Sequence, residues 1–116
     1  MLPIIKKNEL NDGRILSLEF SNPKKKNALS LSMLDELIII LSNLKYINKF
    51  NCLSFSGSHN GSFSAGADLE DIKKLILSKS ISKYHKKMSQ VILLLKKINI
   101  PTVSLLRLHC FGAGLI

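Results

Sequence analysis

Two stretches of this chain place small residues between an apolar run and what reads as a helix start: Ala65-Gly66-Ala67-Asp68 and Gly112-Ala113-Gly114. The first N–H groups of a helix lack an intrahelical acceptor, and that end of the helix carries positive potential. Two such groups converging on one point could hold an oxygen while it gains negative charge. Small side chains add nothing to a core, but they let a ligand approach the main chain. Tight turns with close helix–sheet packing call for the same residues. On spacing alone both readings stand.

Other reactive side chains are sparse. His59, His85 and His109 show no metal-ligand spacing and read as loop or surface residues, so no metal site is expected. Of the three, His109 lies nearest a small-residue turn and is the one a substrate could meet. Asp35 and Glu36 fall on an early helix, and Asp71 flanks the start of a later one. They form no obvious pair for acid–base work. Cys52 and Cys110 lie in apolar runs, and two cysteines make no disulfide scaffold.

The elements that must position the two turns follow from periodicity. "KKNELNDGRILSLEF" predicts two strands around a turn at Asp12-Gly13, with Leu16, Leu18 and Phe20 on a buried face. Pro23 breaks the second strand. Ser30 or Ser32 can then cap a helix, the latter with Asp35 three residues on. Leu34, Leu37, Ile38, Leu41 and Leu44 form that helix's apolar stripe. Residues 52–56 read as a strand closed by Gly57. Asp68 is placed to cap a helix with Leu69, Ile72, Leu75 and Ile76 inward. A further helix over 81–97 carries Ile81, Tyr84, Met88, Val91, Leu95 and Ile98 three and four apart, and Pro101 ends it before the strand "TVSLL". Strands separated by helices predict parallel pairing and an α/β class. "GAGLI" reads as the start of a helix on which the chain stops.

With 116 residues, 46% hydrophobic and 22% charged, the chain is sized for one globular domain with a real core. "LIIIL" and "VILLL" are too short to span a bilayer, and no signal-peptide pattern opens the chain, so a reducing, cytoplasmic setting is expected, without a membrane partner. The formal charge of +9 is nearly all lysine, Arg14 and Arg107 being the only arginines. An anionic partner or simply solvated lysine faces would both produce it. The scarcity of arginine, the 6% aromatic content and the lack of a helix-turn-helix or zinc pattern argue against a nucleic-acid binder.

Three segments, "NPKKKNALSLSMLDEL", "FSGSHNGSFSAGADLEDI" and "IPTVSLLRLHCFGAGL", together resemble the enoyl-CoA hydratase/isomerase, or crotonase, family. The resemblance implies the α/β crotonase-like (ClpP/crotonase) spiral of strand-strand-helix units, of which residues 1–116 would form the N-terminal part. It implies acyl-CoA thioester binding with enolate stabilisation, as in the hydratases and isomerases of fatty acid metabolism. The oxyanion hole would come from the backbone N–H groups of Ala67 and Ala113, with Gly112 beside the second donor. Ala65, Gly66, Ala67, Asp68 and Leu69 would hold the adenine end of CoA, close to Ala28. Lys24, Lys25 and Lys26 would reach its phosphates, with Lys24 the foremost candidate. Coenzyme A enters as part of the substrate, and no permanently bound cofactor is implied. Relatives form trimers or pairs of trimers.

The pattern also departs from the family. Relatives often carry lysine where this chain has Glu70, and Asn-Gly where it has Arg107-Leu108. Hydratases place a glutamate two residues after the second turn, where this chain has Ile116, and a second one further on. The resemblance therefore leaves two implications open: an enzyme of hydratase or isomerase type, inactive in these 116 residues alone, or a non-catalytic acyl-CoA binder.

Overall fold

The computed structural model describes residues 4–58, 62–108 and 110. The first strands form an antiparallel hairpin, β1 (Ile4–Leu10) against β2 (Ile15–Ser21), with Ile5 opposite Phe20. Asn11, Asp12 and Gly13 all have positive φ, as a tight turn of short polar residues and glycine requires. A 3-10 turn at Pro23–Lys25 leads to α1 (Leu31–Ser42), α2 (Leu44–Ile47) and β3 (Cys52–Gly57). Then come α3 (Leu69–Leu77), α4 (Ser82–Lys96) and β4 (Thr102–Leu105). The sheet order is β1-β2-β3-β4, with β2, β3 and β4 parallel. Helical crossovers between parallel strands are what the α/β reading predicts.

Ser30, in extended backbone, accepts the Met33 N–H at 3.2 Å, so Ser30 and not Ser32 caps α1. Asp35 faces away from the cap and pairs with Lys87 on α4. Met33, Leu34, Leu37 and Leu41 of α1 share a core with Leu16 and Leu18 of β2 and Leu53 of β3. Each such leucine, fully buried, contributes about 1.5–3 kcal/mol. The predicted stripe ran on to Leu44, but Asn43 ends the helix and its side chain accepts the Tyr46 N–H at 3.3 Å. Leu44 therefore opens α2.

The inward face expected of α3 is wrong at two positions. Leu75 is buried, whereas Leu69 and Ile76 are 72% and 58% exposed. The helix is anchored by Asp68 at its cap and by Asp71, which accepts the Leu31 N–H at 2.7 Å. Those anchors and Leu75 share one side, and Leu69 and Ile76 lie about 100–120° round from Leu75 at 3.6 residues per turn. On α4, Tyr84 and Val91 are buried while Met88 and Leu95 are partly so, and this helix packs on α1. β4 is exposed along its length.

The end of β3 is tightly packed. A Cβ on Gly57 would lie 1.9 Å from the Ser62 carbonyl oxygen and 2.8 Å from Asn27 Nδ2. No side chain fits there without moving backbone. Gly57→Ala should therefore destabilise the chain by about 3 kcal/mol, the upper end for overpacking, read as a lower urea midpoint. An unchanged midpoint would mean that the 62 carbonyl yields freely.

Candidate functional site

The lysine loop after β2 and the small-residue turn before α3 run side by side. Ala65 N–H donates to the Lys26 carbonyl at 3.0 Å, Leu29 N–H to that of Gly66 at 2.6 Å, and Asp68 N–H to that of Leu29 at 3.1 Å. The last two bonds make an isolated parallel bridge between Leu29 and Ala67. Tyr84 of α4 adds its phenol, donating to the Leu29 carbonyl at 2.6 Å. Gly66 has φ of 97°, a conformation that glycine enters without steric cost.

The lysine loop keeps its shape through two buried asparagines. Asn22 N–H donates to Asn27 Oδ1 at 2.8 Å, and Asn22 Nδ2 to the Ala28 carbonyl at 2.9 Å. Asn27 Nδ2 donates to the Ser62 carbonyl at 2.7 Å, tying the two loops together from below. Lys26 and Asn27 are both left-handed, at φ of 50° and 57°. Phe63 lies edge-on to Phe20 at 5.2 Å, which anchors the second loop to the end of β2.

Between the loops lies an open cleft of about 380 Å³. Lys24, Lys25, Lys26 and Ala28 line one side of it, and Ala65, Ala67, Asp68, Leu69 and Glu70 the other. The substrate-site residues expected from the sequence among 24–28 and 65–69 thus come together, with Gly66 between Ala65 and Ala67 in the bridge. Gly112, Ala113, His59 and His109 lie outside the described residues. His85 is exposed on α4. Among the described residues no three side chains group as a metal site, and no helix is long and apolar enough to cross a membrane.

Ala67 is the informative backbone position. Its neighbours Gly66 and Asp68 make the two bridge bonds, so among the described residues its own N–H meets no acceptor. A half-buried donor at a helix start is able to bind an anionic oxygen. Asp68, one residue on, is buried and caps α3 by accepting the N–H groups of Glu70 and Asp71 at 3.0 and 3.3 Å.

Charge in the cleft is arranged around Lys25. Its Nζ lies 3.1 Å from Asp68 Oδ2 and 3.0 Å from Glu70 Oε2. Hydrogen bonds to Glu70 first, and then to Asp68, hold its pKa above lysine's ordinary value. Lys24 and Lys26 have no ion pair among the described residues. Sequence reasoning did not find Glu70 as Lys25's partner, because the two approach only when the loops fold together. The available signal was a carboxylate in the first turn after a helix cap.

Two outcomes test this geometry. Asp68→Ala should cost about 1 kcal/mol as a lost helix cap, and further stability because Lys25 loses its buried partner. Asp68→Asn keeps an oxygen for the cap and should recover most of the first part. Urea unfolding of both variants checks the order, and equal midpoints would count against the cap. Burial, and then the negative charges of Asp68 and Asp71, hold the Tyr84 phenol well above its ordinary 10.0. Above that pH the unfolded chain releases a proton that the folded chain keeps, so stability whole below pH 10.0 is lost as pH rises beyond it. Tyr84→Phe should flatten this alkaline limb of stability against pH. Parallel limbs would mean the phenol titrates alike in both states.

The profile of the Enoyl-CoA hydratase/isomerase family matches residues 11–116. Over 106 residues the chain is 29% identical to the enoyl-CoA isomerase/hydratase claC of Penicillium crustosum, covering 89% of this chain and 12% of that protein. An enoyl-CoA hydratase from Shewanella pealeana superposes with a TM-score of 0.80 at 24% identity, over 96% of this chain and 42% of that one. Pseudomonas aeruginosa AtuE gives a TM-score of 0.83 at 19% identity, over 95% and 42%. At these identities the structural likeness concerns the fold, and the crotonase-like fold expected from the three motifs is the one found. The chain spans less than half the length of these solved structures and a small part of the curated relative.

Proposed function

Because the chain belongs to the enoyl-CoA hydratase/isomerase family, we propose that its cleft binds an acyl-CoA thioester and polarises the thioester carbonyl. The observation that carries this reading is Ala67, which lines the cleft just before the cap of α3 and whose N–H has no acceptor among the described residues. When a proton leaves the carbon next to the thioester carbonyl, or a nucleophile adds to the conjugated double bond, an electron pair moves onto the carbonyl oxygen. A donor already fixed in place stabilises that charge without reorganising. In this reading Ala113 is the second donor, and Lys24 and Lys26 attract the phosphates of CoA. The main chain from Ala65 to Leu69 takes the adenine end, where bulky side chains would obstruct it.

A second reading, acyl-CoA binding without turnover, is favoured by one feature of the cleft. Its two lining carboxylates among the described residues, Asp68 and Glu70, are both held by Lys25, and Asp68 also caps α3. Asp68 is therefore not free to act as acid or base, and Glu70 acts only if it leaves Lys25. These 116 residues alone are expected to be inactive under both readings, so the protein as it occurs in the cell is mixed with an unsaturated acyl-CoA. Loss of the conjugated thioester absorbance supports the enzyme, and binding without that loss supports the binder.

Substitutions at Ala67 test the main-chain role. Ala67→Gly keeps the N–H and should be tolerated, with a small cost from added backbone freedom. Ala67→Val keeps the N–H but puts a branched side chain against the ligand. Ala67→Pro removes the donor, and one lost oxyanion donor costs about 2.7–4 kcal/mol of transition-state stabilisation, on the order of 10²–10³ in turnover. The expected order is Ala, then Gly, then Val and Pro, in turnover or, for a binder, in affinity for the unsaturated acyl-CoA. Val and Pro variants that fold and perform like Ala would reduce this turn to packing.

A further inference from the structure

Lys25 is the one lysine of the cleft whose charge the described residues already claim. It donates to both carboxylate oxygens of Asp68, each at 3.1 Å, and lies 3.0 Å from Glu70 Oε2. An ammonium has three N–H donors, and these three oxygens account for them. A phosphate can therefore bond to Lys25 only by taking the place of an oxygen already there.

The two partners differ in how readily they leave. The Asp68 side chain is 3% exposed and is fixed by the two α3 N–H groups it caps. The Glu70 side chain is 70% exposed, on the first turn of α3. A long, solvated side chain gains rotamer freedom on release, and water and salt compete well for an exposed ion pair. Glu70 also places a negative charge where an anion must arrive. Around the cleft three lysines face two carboxylates, and Lys24 and Lys26 are left to attract the ligand.

We propose that Glu70 is a displaceable gate on the anion subsite of this cleft: a ligand phosphate replaces its carboxylate on Lys25, while Asp68 stays bound. The proposal rests on the acyl-CoA reading for the ligand's identity, but the exchange itself requires only a phosphate. The arriving phosphate replaces one negative charge on Lys25 with another while Asp68 stays, so the exchange changes its counter-charge and not its protonation. Glu70 thereby sets the affinity for phosphorylated ligands below what three lysines alone would give.

The test titrates the chain and its Glu70→Gln variant with CoA and with inorganic pyrophosphate, at low and high salt. Circular dichroism confirms that the variant is folded. Glu70→Gln should bind phosphate-bearing ligand roughly two- to five-fold more tightly at low salt, with the gain shrinking as salt screens the pair. In a Lys25→Gln background the gain should shrink to what the loss of Glu70's own repulsion gives. No gain, or a gain undiminished without Lys25, overturns the gate. If pyrophosphate shows the Lys25-dependent gain but no protein binds CoA, the gate stands and the acyl-CoA reading falls. If neither ligand binds to any of the proteins, both fall.

Discussion

Everything at the cleft depends on the backbone exchange between Leu29 and the segment from Gly66 to Asp68. Two hydrogen bonds, Leu29 N–H to Gly66 and Asp68 N–H to Leu29, hold two irregular loops in parallel register. Parallel pairing uses the residues on either side of a partner, which leaves the N–H of Ala67 between them unclaimed among the described residues. That spare N–H is thus a by-product of the bonds that position the turn. The Tyr84 phenol, by sharing the Leu29 carbonyl, ties this arrangement to α4 and through it to the helical layer.

Beneath that bridge, polar groups are buried where a hydrophobic core would ordinarily continue. Asn27 is 1% exposed and bonds to the Asn22 N–H and the Ser62 carbonyl. Burying an amide is tolerable only with partners at hydrogen-bonding distance, so this pair of contacts specifies one spacing between the loops. Gly57 makes the same spacing possible by presenting no side chain to the Ser62 carbonyl. The site is a mouth on the ends of β2 and β3, and the buried rings of Phe20, Phe55 and Phe63 pack together where the second loop meets the sheet.

Electrostatics in the cleft follow from that spacing. Asp68 serves two structures at once, capping α3 and holding Lys25, and its burial strengthens both. Glu70 serves only Lys25 and from the solvent side. One ammonium with a fixed partner and a movable one is a different device from a row of three free lysines, although the sequence "KKK" shows only the row.

What the sequence determined by itself was local and periodic. The Asp12-Gly13 turn, the parallel strands, the helix cap at Asp68 and the small-residue turn were readable, because each depends on backbone preferences of a few adjacent residues. The three motifs also made the family legible. The choice of Ser30 over Ser32, the break at Asn43 and the outward turn of Leu69 and Ile76 were not readable. At Ser30 and Asn43 a short-range bond, from the Met33 or the Tyr46 N–H, chose between neighbouring options. At Leu69 and Ile76 a contact from elsewhere in the chain, the Leu31 N–H to Asp71, set the helix face. The carboxylates on Lys25 belong to the same class: Asp68 is 43 residues away along the chain. Spacing says nothing of that contact, since charges so far apart in sequence meet only where the Leu29 bridge holds the two loops side by side.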